Sequence, residues 1–218
     1  MVKGVIFDMD GVITDNNAYH EKAWEDFCRS YQVTLTPDEV RHYIFGRVAR
    51  DTLEYVFKKT LSRAEINAYV EEKEKIYREI YQNFIKPLDG LLSFLGDLRN
   101  HRIRLAMATS APPGNVEFTF SHIPVREYFD VVLDGDSIEK GKPHPDIYLK
   151  AISLLRLMPD QCVIFEDSIP GIKAALASGA HVIGVATTHK REELKGVNKI
   201  IKDFSEISLT DLRQMACH

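Results

Sequence analysis

The chain has 218 residues, 44% hydrophobic and 28% charged, which is ordinary globular composition with enough apolar mass for a sizeable core. Its 28 Lys and Arg against 32 Asp and Glu leave a net charge of −4, so the charge gives no reason to expect nucleic acid or an anionic membrane surface as partner. No apolar run approaches the roughly 18 residues of a membrane span.

The first run, Val2–Phe7, reads as a strand, with no secretory leader pattern before it. From about Asn16 to Phe84 no convincing strand occurs. Ala18–Tyr31 reads as a helix with Trp24, Phe27 and Tyr31 on one side, where core packing is the plain expectation. Pro37 opens a second helix, Asp51–Lys58 forms a third, and Ser62–Phe84 is a long charged helix. Within it Glu71-Glu72-Lys73-Glu74-Lys75 reads as a solvated face. Lys86-Pro87 and Leu88-Asp89-Gly90 then punctuate a return to alternating strands and helices. Further strands are expected at Ile103–Thr109, Val131–Leu133, Val163–Phe165, Val182–Val185 and Lys199–Ile201. Several are continuously apolar, as strands covered on both faces should be. Helices are expected at Gly90–Asn100, Asp146–Leu157 and Ile169–Ser178, the last ending at Gly179. The alternation argues for a parallel α/β sheet. Cys28, Cys162 and Cys217 are too scattered for a metal site or a disulfide framework. A reduced, buried Cys162 and a cytoplasmic location are the expectation.

Ligand sites in open parallel sheets lie beyond the carboxyl ends of the strands. Asp8, Asp10 and Gly11 follow the first strand. Thr109 and Ser110 close the second, Lys142 lies in Gly141-Lys142-Pro143-His144-Pro145-Asp146, and Glu166-Asp167-Ser168 follows the fourth. Carboxylates gathered at one rim repel each other unless a cation joins them, and Mg²⁺ suits an all-oxygen set such as Asp8, Asp10, Glu166 and Asp167. A carboxylate with a reference pKa of about 3.9 is a competent nucleophile at neutral pH. Asp8 can therefore attack phosphorus, with Asp10 as acid and then base. Lys142 and the Thr109 hydroxyl would hold the phosphoryl oxygens. Uncatalysed phosphomonoester hydrolysis needs up to ~10²¹-fold acceleration, which explains why these groups would be needed together. Each element alone has a bland explanation: a chance loop, a turn at Gly-Lys-Pro, or an N-cap at Glu-Asp-Ser. Their order along the chain, each at a strand end, does not.

With these motifs, Asp8-Met9-Asp10-Gly11-Val12, Thr109, Lys142 and Glu166-Asp167, the chain resembles the haloacid dehalogenase-like superfamily over essentially its whole length. The resemblance implies a three-layer, Rossmann-like α/β core with a parallel sheet, residues 1–15 and 85–218, and an inserted all-helical cap, residues 16–84. It implies phosphoryl transfer with Mg²⁺, because the dehalogenases proper lack an acid at position 10. Asp8-Met9-Asp10-Gly11-Val12-Ile13-Thr14-Asp15, Tyr19-His20 and Ala23-Trp24 are similar to the β-phosphoglucomutase-like group. That similarity adds His20, Trp24, Gly46, Arg47, Arg50, Lys73 and Ser110 as substrate-binding candidates. The pattern departs from the mutases where Ala49 stands at their cap-loop arginine and Ala111-Pro112-Pro113 replaces polar and basic residues. The expectation is a monomeric Mg²⁺-dependent phosphatase of a small phosphorylated metabolite, sugar phosphates among the candidates. A β-phosphoglucomutase-type phosphomutase is the alternative. A receiver-type signalling module, also phosphorylated on Asp, is disfavoured by the paired Asp8 and Asp10, the helical insert and the length.

Overall fold

The computed structural model describes residues 1–36, 39 and 49–215. The second-helix start expected at Pro37 lies outside them, as do Gly46, Arg47 and Cys217. The chain divides into two compact units, Met1–Asp15 with Ile85–His218, and Asn16–Phe84.

The first unit is built on six strands: β1 (Gly4–Phe7), β2 (Arg104–Ala108), β3 (Val131–Leu133), β4 (Cys162–Glu166), β5 (His181–Val185) and β6 (Lys199–Ile201). They form one sheet in the order β3-β2-β1-β4-β5-β6, and every ladder is parallel. The chain winds outward from β1 in both directions, so β1 is central and its end is a topological switch point. Strand alternation assigns its side chains to two faces. Val5 and Phe7 join Leu105, Met107, Val163 and Phe165 in one core, closed by α4 (Leu91–Asn100), α5 (Pro113–His122) and α8 (Leu209–Met215). Ile6 joins Ala106, Ala108, Cys162 and Ile164 in the other, closed by α6 (Asp146–Leu154) and α7 (Ile169–Ala177). These three layers are the α/β architecture expected of the sequence. Phe7 and Phe165 stack across neighbouring strands at 5.1 Å, locking the register at the row just before Asp8.

Two helices of this unit went unread in the sequence. Helix α5 opens on prolines, which mask its start. Pro113 occupies the first turn, where the missing N–H is unpaired in any helix. Helix α8 is one short amphipathic piece with a single buried residue, Leu212, too brief for periodicity to show.

The second unit holds α1 (Asn17–Ser30), α2 (Ala49–Phe57) and α3 (Arg63–Tyr81). Its core is Phe27, Cys28, Leu53, Val56, Leu61 and Ile66, with Trp24, Phe57 and Tyr69 packed against it. Ser62 and Glu65 form a reciprocal capping box at the start of α3. Two readings of the sequence need correction here. Tyr31, just past the end of α1, packs its ring against Phe27, Phe57 and Tyr69 but lies at the rim, 36% exposed, and donates its hydroxyl to Glu72 at 2.6 Å. The Glu71–Lys75 run is not one solvated face: Lys73 and Glu74 are only 3% and 8% exposed and pair at 2.9 Å. Consecutive positions on a helix diverge by about 100°, so a charged run must put some members inward. Cys28 and Cys162 are free and buried. No helix among the described residues is long and apolar enough to cross a membrane.

Candidate active site

The ladder of β1 with β4 continues past the strand, Asp8 N–H donating to Phe165 O at 3.0 Å. Asp8 therefore stands beside Glu166 at the carboxyl end of the sheet, 7% exposed. A tight turn follows. Gly11 N–H donates to Thr14 O at 2.8 Å, and Gly11 adopts φ +70°. A Cβ there would collide with the Asp167 carboxylate, so glycine is required twice over at this position. Asp10 sits half-buried on the same turn.

Lys142 reaches the cluster from the segment before α6. Its side chain is 7% exposed, with Nζ 2.7 Å from Glu166 Oε2 and 3.0 Å from Asp8 Oδ1. Glu166 accepts on both oxygens. Oε2 takes Lys142 and the buried Tyr148 hydroxyl. Oε1 takes the N–H groups of Asp167 and Ser168 and the Ser168 hydroxyl. Ser168 Oγ also caps α7 by accepting from Gly171 N–H at 3.1 Å, and a Cβ on Gly171 would overlap the Glu166 carboxylate. Asp167 is buried and accepts the Thr188 hydroxyl. The neighbouring Thr187 hydroxyl ties the turn in place, donating to Gly11 O at 2.7 Å. Thr109 is buried, its Oγ1 accepting from Ala111 N–H at 3.1 Å, and Ser110 beside it is exposed.

The electrostatics follow from this packing. Burial, then the Glu166 charge, pushes the Asp8 carboxyl up to about 7 against the pull of Lys142, and Asp10 adds to the rise. Burial, Glu166 and Asp8 push Asp167 well above the carboxylate range. For Glu166 burial also opposes charge, but Lys142 and the converging donors prevail and hold it below its ordinary value. Lys142 is raised, since the Asp8 and Glu166 charges outweigh its own desolvation. Three buried carboxylates thus cluster, with ligand atoms of Asp8, Glu166 and Asp167 all within 4.8 Å of one another, and one lysine pairs with two of them. The ion pair to Lys142 lacks hydrogen-bond alignment, so Asp8 Oδ1 is a buried acceptor with no donor. An all-oxygen set with surplus negative charge and an orphaned oxygen fits a hard divalent cation.

The structure therefore brings Asp8, Lys142, Glu166 and Asp167 into one cluster. His20, Trp24 and Lys73 gather separately within the helical unit. Lys73 Nζ lies 2.9 Å from His20 Nδ1 and 5.3 Å from the Trp24 ring centroid. His20 stacks on Tyr77 at 3.8 Å. Arg50 is exposed on α2, 3.5 Å from Glu54. Sequence reasoning missed Tyr148, Ser168 as a donor, and Thr188. Thr188 follows β5, so inspecting every strand end would have found it. Tyr148 looks like any inward aromatic on a helix, and nothing local marks its hydroxyl.

The model of the family described as haloacid dehalogenase-like hydrolase matches residues 5–185, spanning the whole cluster. The chain belongs to that family. Hexitol phosphatase A of Escherichia coli K12 is 31% identical over 210 residues, covering 95% of this chain and 94% of that protein. The β-phosphoglucomutase of Bacillus subtilis 168 is 26% identical over 220 residues, covering 98% and 95%. A crystal structure of a HAD hydrolase, family IA, variant 3, from Entamoeba histolytica superposes with a TM-score of 0.93 at 32% identity, covering all of both chains. Within the haloacid dehalogenase-like hydrolases, this chain falls in the β-phosphoglucomutase-like group.

Proposed function

We propose that this hydrolase is a Mg²⁺-dependent phosphatase of small phosphorylated metabolites, sugar phosphates foremost, with Asp8 as nucleophile. The observation that carries this reading is a buried aspartate at the switch point of the sheet, beside one lysine and two further carboxylates, with one oxygen lacking a hydrogen-bond donor. Asp8 attacks phosphorus, the bond from phosphorus to the substrate oxygen breaks, and Asp10 protonates the departing alkoxide. Asp10 then takes a proton from water, which attacks the aspartyl-phosphate. Phosphate leaves and Asp8 is regenerated as carboxylate. Lys142 and Thr109 bind the phosphoryl oxygens, with Ser110 assisting. Asp8 and Asp167 would hold Mg²⁺, with Asp10 and Glu166 beside them. Bound there, Mg²⁺ would neutralise charge on those oxygens. His20, Trp24, Lys73, Arg50, Gly46 and Arg47 are assigned to substrate selection.

The sugar-phosphate preference is supported by the hexitol phosphatase likeness. A second reading, sugar phosphomutase, is favoured by the β-phosphoglucomutase relative. A mutase must grip a bisphosphate in two orientations, and Ala49 and Ala111-Pro112-Pro113 offer no side-chain ligand for the distal phosphate, so water is the expected acceptor. The test is a panel of phosphorylated sugars and sugar alcohols with Mg²⁺, scored for phosphate release and for isomerisation. We expect release that stops with EDTA and falls at least about a thousandfold in Asp8→Asn. Net conversion of β-glucose 1-phosphate to glucose 6-phosphate would establish the mutase instead. Substantial turnover by Asp8→Asn would remove Asp8 from its role.

A further inference from the structure

We infer that Tyr148 is a positioning residue for Lys142, acting through Glu166 and through its own ring. The inference deepens the reading above and rests on it. Tyr148 lies on the first turn of α6, fully buried. Its hydroxyl donates to Glu166 Oε2, the same oxygen that Lys142 Nζ contacts at 2.7 Å. Its ring centroid lies 4.9 Å from that ammonium, within cation–π range. One side chain therefore restrains both members of the pair: the ring faces the cation, and the hydroxyl fixes the anion the cation leans on.

The sequence places this brace economically. Lys142 precedes α6 on an irregular segment, which by itself cannot hold a flexible four-carbon stem to one geometry. Tyr148, six positions on, belongs to a helix packed against β2 and β3 and is fully buried. Counting donors sharpens the role of Glu166. Its two oxygens receive five donors, from Lys142, Tyr148, Asp167 and Ser168. A carboxylate has about four lone-pair sites, so Glu166 is spent on anchoring the lysine. Metal ligation then falls chiefly to Asp8, whose Oδ1 has no donor, and to Asp167. A Phe at 148 would keep the ring and the fold but free Glu166 Oε2 from its second donor. A Leu would remove the ring as well.

The experiment compares wild type, Tyr148→Phe and Tyr148→Leu, all as full chains. Turnover of a generic aryl phosphate is measured with saturating Mg²⁺, and a brief acetic anhydride pulse, read by mass spectrometry, reports how protected the Lys142 amine is. We expect kcat to fall about tenfold in Tyr148→Phe, the size of one hydrogen bond to a charged group, and further in Tyr148→Leu. KM should stay within about twofold, and acetylation of Lys142 should rise in the same order. A merely structural tyrosine would lower the melting temperature while leaving kcat per folded molecule and Lys142 labelling unchanged, and that outcome overturns the inference. If wild type shows no turnover of any phosphate ester, the phosphatase reading has failed. The labelling then still decides whether Tyr148 braces the lysine.

Discussion

Each of the two units buries ionised groups, but in opposite proportions. In the helical unit Lys73 pairs with Glu74 at 2.9 Å, with His20 beside both. In the sheet unit Lys142 stands against Asp8, Glu166 and Asp167. In the first, the lysine faces a single carboxylate among the described residues. The second is short of positive charge, and burial together with crowded like charge raises the Asp8 and Asp167 carboxyls. A balanced buried pair stabilises a geometry; an unbalanced one holds a place for a ligand that brings the missing charge.

Breaking the balanced pair should have the larger effect on stability. Lys73→Met removes the cation that Glu74 contacts at 2.9 Å, and stability should fall by about 1–3 kcal/mol. Chemical denaturation would measure it, and no change would mean that Glu74 does not depend on Lys73. The unbalanced site should behave the other way. The Asp8 carboxyl lies at about 7 in the fold against 3.8 for a free aspartate. Between these values the folded state binds more protons than the unfolded one, so metal-free protein loses stability as pH rises from about 4 to 7. Asp8→Asn removes that loss. Metal-free Asp8→Asn should therefore gain on wild type with rising pH, by at most about 1.4 kcal/mol per unit, and Mg²⁺ should narrow the gap by binding wild type. A gap independent of pH would show that Asp8 is already compensated. The smallest effect should come from the helical unit's surface, where Ser62→Ala removes a capping box. It should cost about 1 kcal/mol and leave turnover of a small aryl phosphate unaltered.

The sheet was legible in the sequence because buried parallel strands are apolar without interruption. All six strands lie where the runs predicted them, within a residue or two. The cluster was legible because strand ends are where such sheets collect ligands, so Asp8, Glu166 and Asp167 could be named from position, and Lys142 from the loop before α6. Helix α5 was hidden by its opening prolines, and Tyr148 by the fact that an inward tyrosine and an inward phenylalanine carry the same hydrophobic signal. The burial of Lys73 and Glu74 was masked by the charges around them. A run of like character along the chain says little about a helix, where neighbours point apart.

Strand β1 lies at the middle of the sheet, with Gly4 matched to Arg104 on one side and to Cys162 on the other. Both partners are made long after β1 leaves the ribosome. Such non-local pairings form late and slowly. Until they do, Asp8 is an ordinary solvated aspartate with no lysine beside it and no second carboxylate crowding it. On the proposed mechanism, reactivity toward phosphate esters therefore switches on only at the end of folding. Recovery of turnover after dilution from denaturant should lag behind recovery of helix.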